Sequence, residues 1–387
     1  TIIAAHPVLR HVKTAPFSVL QPNLHGLCER GKVSQMDDLI NPHEHMSPSD
    51  GETANPILVE VVRGTMVESR HRGAIAVVAP DGTVVRSIGD VTREMYPRSS
   101  IKPVQALPLI ETGAADAFGF GNVEIALACA SHLGEARHVT AVRAALEKAN
   151  GTPEMLECGA QPPASRAAEH EIIRAGEPPH ALHNNCSGKH TGMIATALHK
   201  GENPAGYTAI THPVQQRILG VFESMTGCDL SRAPRGIDGC SVPVWAMPLG
   251  NLALAMARMA DPSDQPEIRQ NAAARIRAAM AAEPFYVHGS NTFATDVMNI
   301  AGPDVLVKGG AEGVFIAILP ALGLGVAIKI DDGAERAAEL AMIHTLEQIG
   351  ALTDDQCTAL KDRLDPIQTN WSGREVGSLQ PGTALNF

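Results

Sequence analysis

What most limits how this chain can fold is the placement of its extended segments, which fall near the two ends with helix-like spacing between them. Ile57 to Val62 reads as a strand, and Ala74 to Ala79 and Thr83 to Ile88 flank Asp81-Gly82, a pair suited to a tight hairpin turn that needs positive φ. Strand character returns in Asp304 to Lys308, Val314 to Leu319 and Leu324 to Ile330, the last two joined by the short turn Pro320 to Gly323. Helical spacing fills 100–112, 122–130, 136–149, 167–175, 190–200, 213–226, 250–260 and 265–282, and two further helices, 334–349 and 353–364, close the chain. Pro213 after Thr211-His212 marks a helix start and Gly227 a stop. The pattern predicts a mixed α/β (α+β) fold: one mainly antiparallel sheet built from 57–88 and 304–330, carrying a large helical region over 99–283.

Residues 1–54 differ from the rest. They hold several His and Pro residues, lack an apolar period and end in the polar run Ser47-Pro48-Ser49-Asp50-Gly51-Glu52, so a poorly ordered extension is expected before a folded domain over 55–387. The chain begins with Thr, and Met36 and Met46 are candidate starts.

With 44% of 387 residues hydrophobic, the chain can bury a large core, and with only 3% aromatic residues but 35 Gly and 27 Pro, that core must be aliphatic side chains between frequent turns. A net charge of -11 offers no field for phosphate backbones or anionic lipid, which argues against nucleic acid and membrane surfaces as partners. No apolar run approaches the ~20 residues of a spanning helix and no basic-then-apolar leader opens the chain, so a cytoplasmic protein is expected. Seven scattered cysteines suit reduced thiols better than a disulfide framework.

In Arg98-Ser99-Ser100-Ile101-Lys102-Pro103, Ser99 stands where a helix should start and Lys102 follows on the same face. Two readings stand side by side: a helix cap with a solvated lysine, or a serine alcohol whose proton passes to a lysine kept neutral by burial or a neighbouring cation. Pro103 and Pro108 inside the segment fix its shape at a cost ordinary helices avoid. Lys308-Gly309-Gly310, at the end of a late strand, sits where serine beta-lactamases carry Lys-Thr-Gly, and its glycines let a substrate approach the backbone. Ser131-His132 ends the apolar helix Val123 to Ala130.

His183-Asn184-Asn185-Cys186-Ser187-Gly188-Lys189-His190-Thr191-Gly192 gathers amides, a thiol, an amine and imidazoles ahead of an apolar helix. It lacks the upstream glycine of a phosphate loop. Cys186 and Cys240 are candidates for a soft or borderline metal, against the alternative of two buried free thiols.

Taken together, Arg98 to Pro103, Asn184 to His190, Gly236-Ile237-Asp238-Gly239-Cys240 and Lys308-Gly309-Gly310-Ala311-Glu312-Gly313 resemble the signatures of the Rhizobium etli-type L-asparaginases, from about Asn55 to about Leu364. The resemblance implies a serine beta-lactamase-like fold shared with glutaminases, a homodimer, and hydrolysis of L-asparagine to aspartate and ammonia. It implies two Ser-Lys tandems, Ser99 with Lys102 and Ser131 with Lys308, and a zinc ion held by Cys186, Lys189 and Cys240 that aids substrate binding more than cleavage. Ser99 is the favoured nucleophile, with Ser131 the alternative. Arg98 and Asp238 are candidates for the charged ends of the substrate, and His190 for orienting substrate or water. Rival readings are a glutaminase or beta-lactam hydrolase on the same scaffold, a zinc-activated hydrolase, and a non-catalytic zinc- or amino-acid-binding protein.

Overall fold

The computed structural model describes residues 54–385, so the extension expected over 1–54 lies, but for its last residue, outside the described residues. The main sheet has eight strands: β1 (Ile57–Arg63), β2 (Met66–Val78), β3 (Val84–Ile88), β4 (Leu306–Gly310), β5 (Val314–Leu319), β6 (Leu324–Ile330), β7 (Ile367–Thr369) and β8 (Glu375–Pro381). They run in the order β7-β8-β1-β2-β6-β5-β4, with β3 also paired to β2, and every pairing is antiparallel.

β2 joins the two ends of the chain. Its first half pairs with β1, and its second half, Gly73 to Val78, pairs with Ile330 to Gly325 of β6. The expected hairpin at Asp81-Gly82 is present: Ala79 N–H donates to Thr83 O at 2.9 Å and Gly82 takes φ 88°. All six residues of β5, Val-Phe-Ile-Ala-Ile-Leu, are buried, so successive side chains find cover on both faces of the sheet.

Four helices frame the site: α1 (Asn122–Ala128), α2 (Ser187–His199), α3 (Leu249–Ala260) and α4 (Glu335–Gln348). Every residue of α3 is buried, and it packs on β2, β5 and β6. Gly325 is required there, because a Cβ would stand 2.2 Å from both Ala253 O and Ala257 N of the helix backbone. Helix Pro213–Thr226 starts at Pro213 and stops at Gly227, which takes φ 71°. Among the described residues no helix is long and apolar enough to cross a membrane.

Three features depart from the sequence-based expectation. The sheet extends beyond 57–88 and 304–330 through β7 and β8, whose only fully buried residue, Leu379, leaves almost no apolar alternation to read. Helix Phe293–Ala301 was not anticipated. The helix expected over 100–112 is broken into a 3-10 turn, Arg98–Ile101, and two short α segments, Lys102–Gln105 and Leu107–Glu111. Pro103 and Pro108, each in the first turn of its segment, supply no N–H to a continuous ladder.

Candidate active site

Ser131 Oγ lies between two buried amines. Lys102 Nζ donates to it at 2.9 Å and Lys308 Nζ at 2.8 Å, while the same amines also donate to Ala130 O (2.5 Å) and Gly309 O (2.6 Å) respectively. Both lysines have no exposed surface. Three elements bring the groups together: the segment after the 3-10 turn supplies Lys102, the stretch after α1 supplies Ser131, and β4 supplies Lys308. Ser131 is tied down by its own N–H, which donates to Val287 O at 2.9 Å.

The fit between turn and strand depends on Gly310. A Cβ there would lie 2.9 Å from Ser100 N and 3.0 Å from Pro97 O, so only glycine lets β4 seat against the turn that carries Ser99. Ser100 Oγ closes that turn by donating to Pro97 O at 2.6 Å. Ser99 is half-buried and no hydrogen bond holds its hydroxyl among the described residues; the expected contact with Lys102 is not formed, because the Lys102 amine is engaged with Ala130 and Ser131. Both serines line one open cavity of about 760 Å³, together with Gly309 and Gly310.

Burial, reinforced by the nearby charge of Lys102, holds the Lys308 amine well below the ordinary lysine range. A lysine so placed gives up its proton more readily than an ordinary lysine and, once neutral, can accept one.

Arg98 and Asp238, candidates for opposite ends of a substrate, pair with each other: Arg98 Nε donates to Asp238 Oδ1 at 2.8 Å. Arg98 takes φ 50°, an unfavourable conformation for a side chain with a Cβ, held by that ion pair. Burial acts to raise the Asp238 carboxyl, but the charges of Lys189 and Arg98 outweigh it and keep the group below its usual range. His190 is fully buried, its Nδ1 sits 2.5 Å from Tyr207 Oη, and it is not among the residues lining the open cavity.

Cys186, Lys189 and Cys240 converge in the interior, with Lys189 Nζ donating to Cys240 Sγ at 3.1 Å. The neighbouring Cys240 thiol, together with Lys102 and Lys189, holds Cys186 well below the usual thiol range, whereas the bond to Cys186 and burial push Cys240 up. The set offers a thiolate, a second thiol and an amine, donor types that suit zinc. Lys189 opposes its own burial through the two sulfurs and holds its proton more tightly than an ordinary lysine, so a metal would have to displace that proton. Among the described residues no group of three or more His, Cys, Asp or Glu side chains is placed to hold a metal, so the amine would have to complete the set. The described cysteines, Cys129, Cys158, Cys186, Cys228, Cys240 and Cys357, are free thiols, as scattered spacing suggests.

The cavity also contains side chains to which the sequence analysis gave no role. His132 is buried; its Nδ1 accepts from Gly134 N–H at 3.1 Å and its Nε2 faces Ser187 Oγ at 2.8 Å. Burial and the charge of Glu335 push the Glu339 carboxyl up to about 7. His288 lies outside every motif, so nothing in the linear sequence marked it.

A serine hydroxyl held between two buried amines at the wall of a cavity is a group that such neighbours can activate for attack on a carbonyl. The sequence model of the L-asparaginase II family matches residues 59–381. The chain belongs to the L-asparaginase II family. No individual curated protein matches it. Among solved structures it is similar to Mglu in its native form (15% identity, TM-score 0.39, covering 74% of this chain and 63% of that one). It is also similar to a beta-lactamase from Mycobacterium bovis (14%, TM-score 0.40, 72% and 95%) and to D-alanine carboxypeptidase AmpC from Burkholderia cenocepacia (13%, TM-score 0.34, 72% and 93%). The chain thus spans less than two thirds of the length of that Mglu chain.

Proposed function

We propose that this protein is an amidohydrolase that cleaves the side-chain amide of L-asparagine through an acyl-serine intermediate, giving aspartate and ammonia. The observation that carries the reading is the placement of Ser131 Oγ between Lys102 Nζ and Lys308 Nζ at the wall of an open cavity. Lys308, kept neutral by burial and by the Lys102 charge, can take a proton from Ser131 once its lone pair rather than an N–H is turned to the hydroxyl, while Lys102 donates to the same oxygen. Ser99, whose hydroxyl is free and faces the same cavity, attacks the carboxamide carbon and its proton passes to this cluster. Catalytic contacts that are long in the free enzyme tighten once substrate is bound. The C–N bond breaks as the nitrogen takes a proton, ammonia leaves, and water hydrolyses the ester.

The two lysine hydrogen bonds to Ser131 favour a second reading, in which Ser131 itself is acylated with Lys308 as its base. Quenching turnover in acid and locating the acyl group by peptide mass separates the two. Ammonia release from L-asparagine and L-glutamine, assayed side by side, tests the substrate, since one methylene is worth only about 1–3 kcal/mol of discrimination. A protein that binds asparagine without releasing ammonia would defeat both readings.

Zinc belongs to the same proposal, with Cys186, Lys189 and Cys240 as its holders. When bound, the ion would supply positive charge that strengthens attraction for an anionic amino-acid substrate. The homodimer implied by the resemblance completes the reading, and light scattering of the purified protein would test it.

A further inference from the structure

His288 is an imidazole in the cavity that finds no hydrogen-bond partner among the described residues. It follows the short helix Pro284–Val287, and the carbonyl just before it, Val287 O, accepts the Ser131 N–H at 2.9 Å, so the ring is anchored one residue from the serine's backbone tether. Its Nε2 is enclosed and unbonded, and no hydrogen bond reaches its Nδ1 among the described residues. His132, in the same cavity, has both nitrogens engaged, so a free ring is not a general property of this wall. His190 also has a free Nε2, but it lies away from the open cavity. Burial, with the charge of Lys102 close by, holds the His288 ring well below the ordinary imidazole range.

Enclosed polar atoms left without a partner in a working cavity are most simply explained by a ligand that supplies one. The charged ends of an amino acid call for opposite charge, which a neutral ring does not offer. The –NH2 of a carboxamide is neutral and needs acceptors, yet the oxygens nearest the lysines, Ala130 O, Gly309 O and Ser131 Oγ, already receive lysine N–H groups. Of the two imidazoles that line the cavity, His288 is the one with a nitrogen left unbonded.

We propose that His288 is a substrate-contacting residue whose imidazole accepts a hydrogen bond from the scissile –NH2 and holds that nitrogen where a lysine can protonate it. The inference rests on the amide-hydrolysis reading above. His288 neither gains nor loses a proton: the lysine's proton goes to the departing nitrogen, the C–N bond breaks, ammonia leaves and the acyl group stays on the serine.

The test compares L-asparagine with the β-methyl ester of L-aspartate, which has the same acyl group and no –NH2, in the unmodified enzyme and in His288→Phe, His288→Asn and His288→Ala, each checked for folding by circular dichroism. For His288→Phe and His288→Ala we expect kcat/KM on the amide to fall at least about tenfold with the ester value nearly unchanged, and His288→Asn to recover part of the amide loss through its carbonyl oxygen. Equal losses on amide and ester, or no loss on either, would overturn the assignment while leaving the amidase reading intact. Absence of ammonia release from the unmodified enzyme would instead bring down the underlying reading and the assignment with it.

Discussion

Lys308 and Ser131 are 177 positions apart in the chain, and their Nζ and Oγ atoms are 2.8 Å apart in the fold. The amine gives up solvent to reach that place, and its affinity for protons falls in consequence. In the proposed mechanism, catalysis and stability therefore make opposite demands on it.

Replacing Lys308 by Met should lower ammonia release at least about a hundredfold without lowering the melting temperature near neutral pH. The sign follows from linkage. Between the lowered folded value and the ordinary lysine value of 10.5, the unfolded chain binds a proton that the folded chain does not, so stability rises with pH across that window. Calorimetry of the unmodified enzyme and Lys308→Met from pH 7 to 10 should show the unmodified enzyme gaining stability relative to the variant as pH rises. The unmodified enzyme's rate should fall as pH drops through the Lys308 value, where the base becomes charged.

Loss of the Ser99 hydroxyl in Ser99→Ala should cost at least about a hundredfold in kcat, with Lys102→Ala comparably impaired. Steady-state rates on L-asparagine for these variants and Ser131→Ala decide the site, and near-normal turnover in all of them would remove the serine–lysine cluster from the chemistry.

Metal removal should act on affinity. Chelation, or Cys240→Ser, is expected to raise KM for L-asparagine more than it lowers kcat, with metal content followed by atomic emission; a rate abolished at saturating substrate would point to zinc-activated water instead.

Gly310→Ala should force the β4 edge away from the turn at Pro97 to Ser100, because the added methyl lies 2.9 Å from Ser100 N. Such overpacking typically costs about 1–3 kcal/mol. A lower melting temperature together with reduced kcat would be the result; unchanged kcat would show that the turn moves without disturbing Ser99.

Much of the architecture was legible because local signals agreed with the global fold. Asp81-Gly82 between apolar runs fixed one hairpin, Val314 to Leu319 and Leu324 to Ile330 another, and the Pro213 and Gly227 punctuation bounded a helix. β7 and β8 were not legible, since two strands with one buried side chain between them carry no apolar period. At the site, the pairing of Lys102 with Ser131 was hidden by short-range reasoning: three-residue spacing suggested Ser99, but burial and the Ala130 carbonyl decide where a long amine points. Arg98 and Asp238 were each expected at the substrate, and their pairing with one another carried no signal in the linear sequence. His288 carried no local signal at all, because its significance comes from the Val287 carbonyl that meets Ser131.

The long strand β2 bonds the start of the domain to β6, near its end. A ribosome making this chain has therefore released the whole helical middle before the partner of Gly73 to Val78 exists, and closing so large a loop places the enzyme among proteins whose assembly is governed by distant pairings. A nascent chain that stops before Lys308 contains Ser99, Ser131, Cys186 and Cys240 yet lacks one amine of the cluster, so the surroundings of Ser131 stay incomplete until synthesis has passed the helical middle.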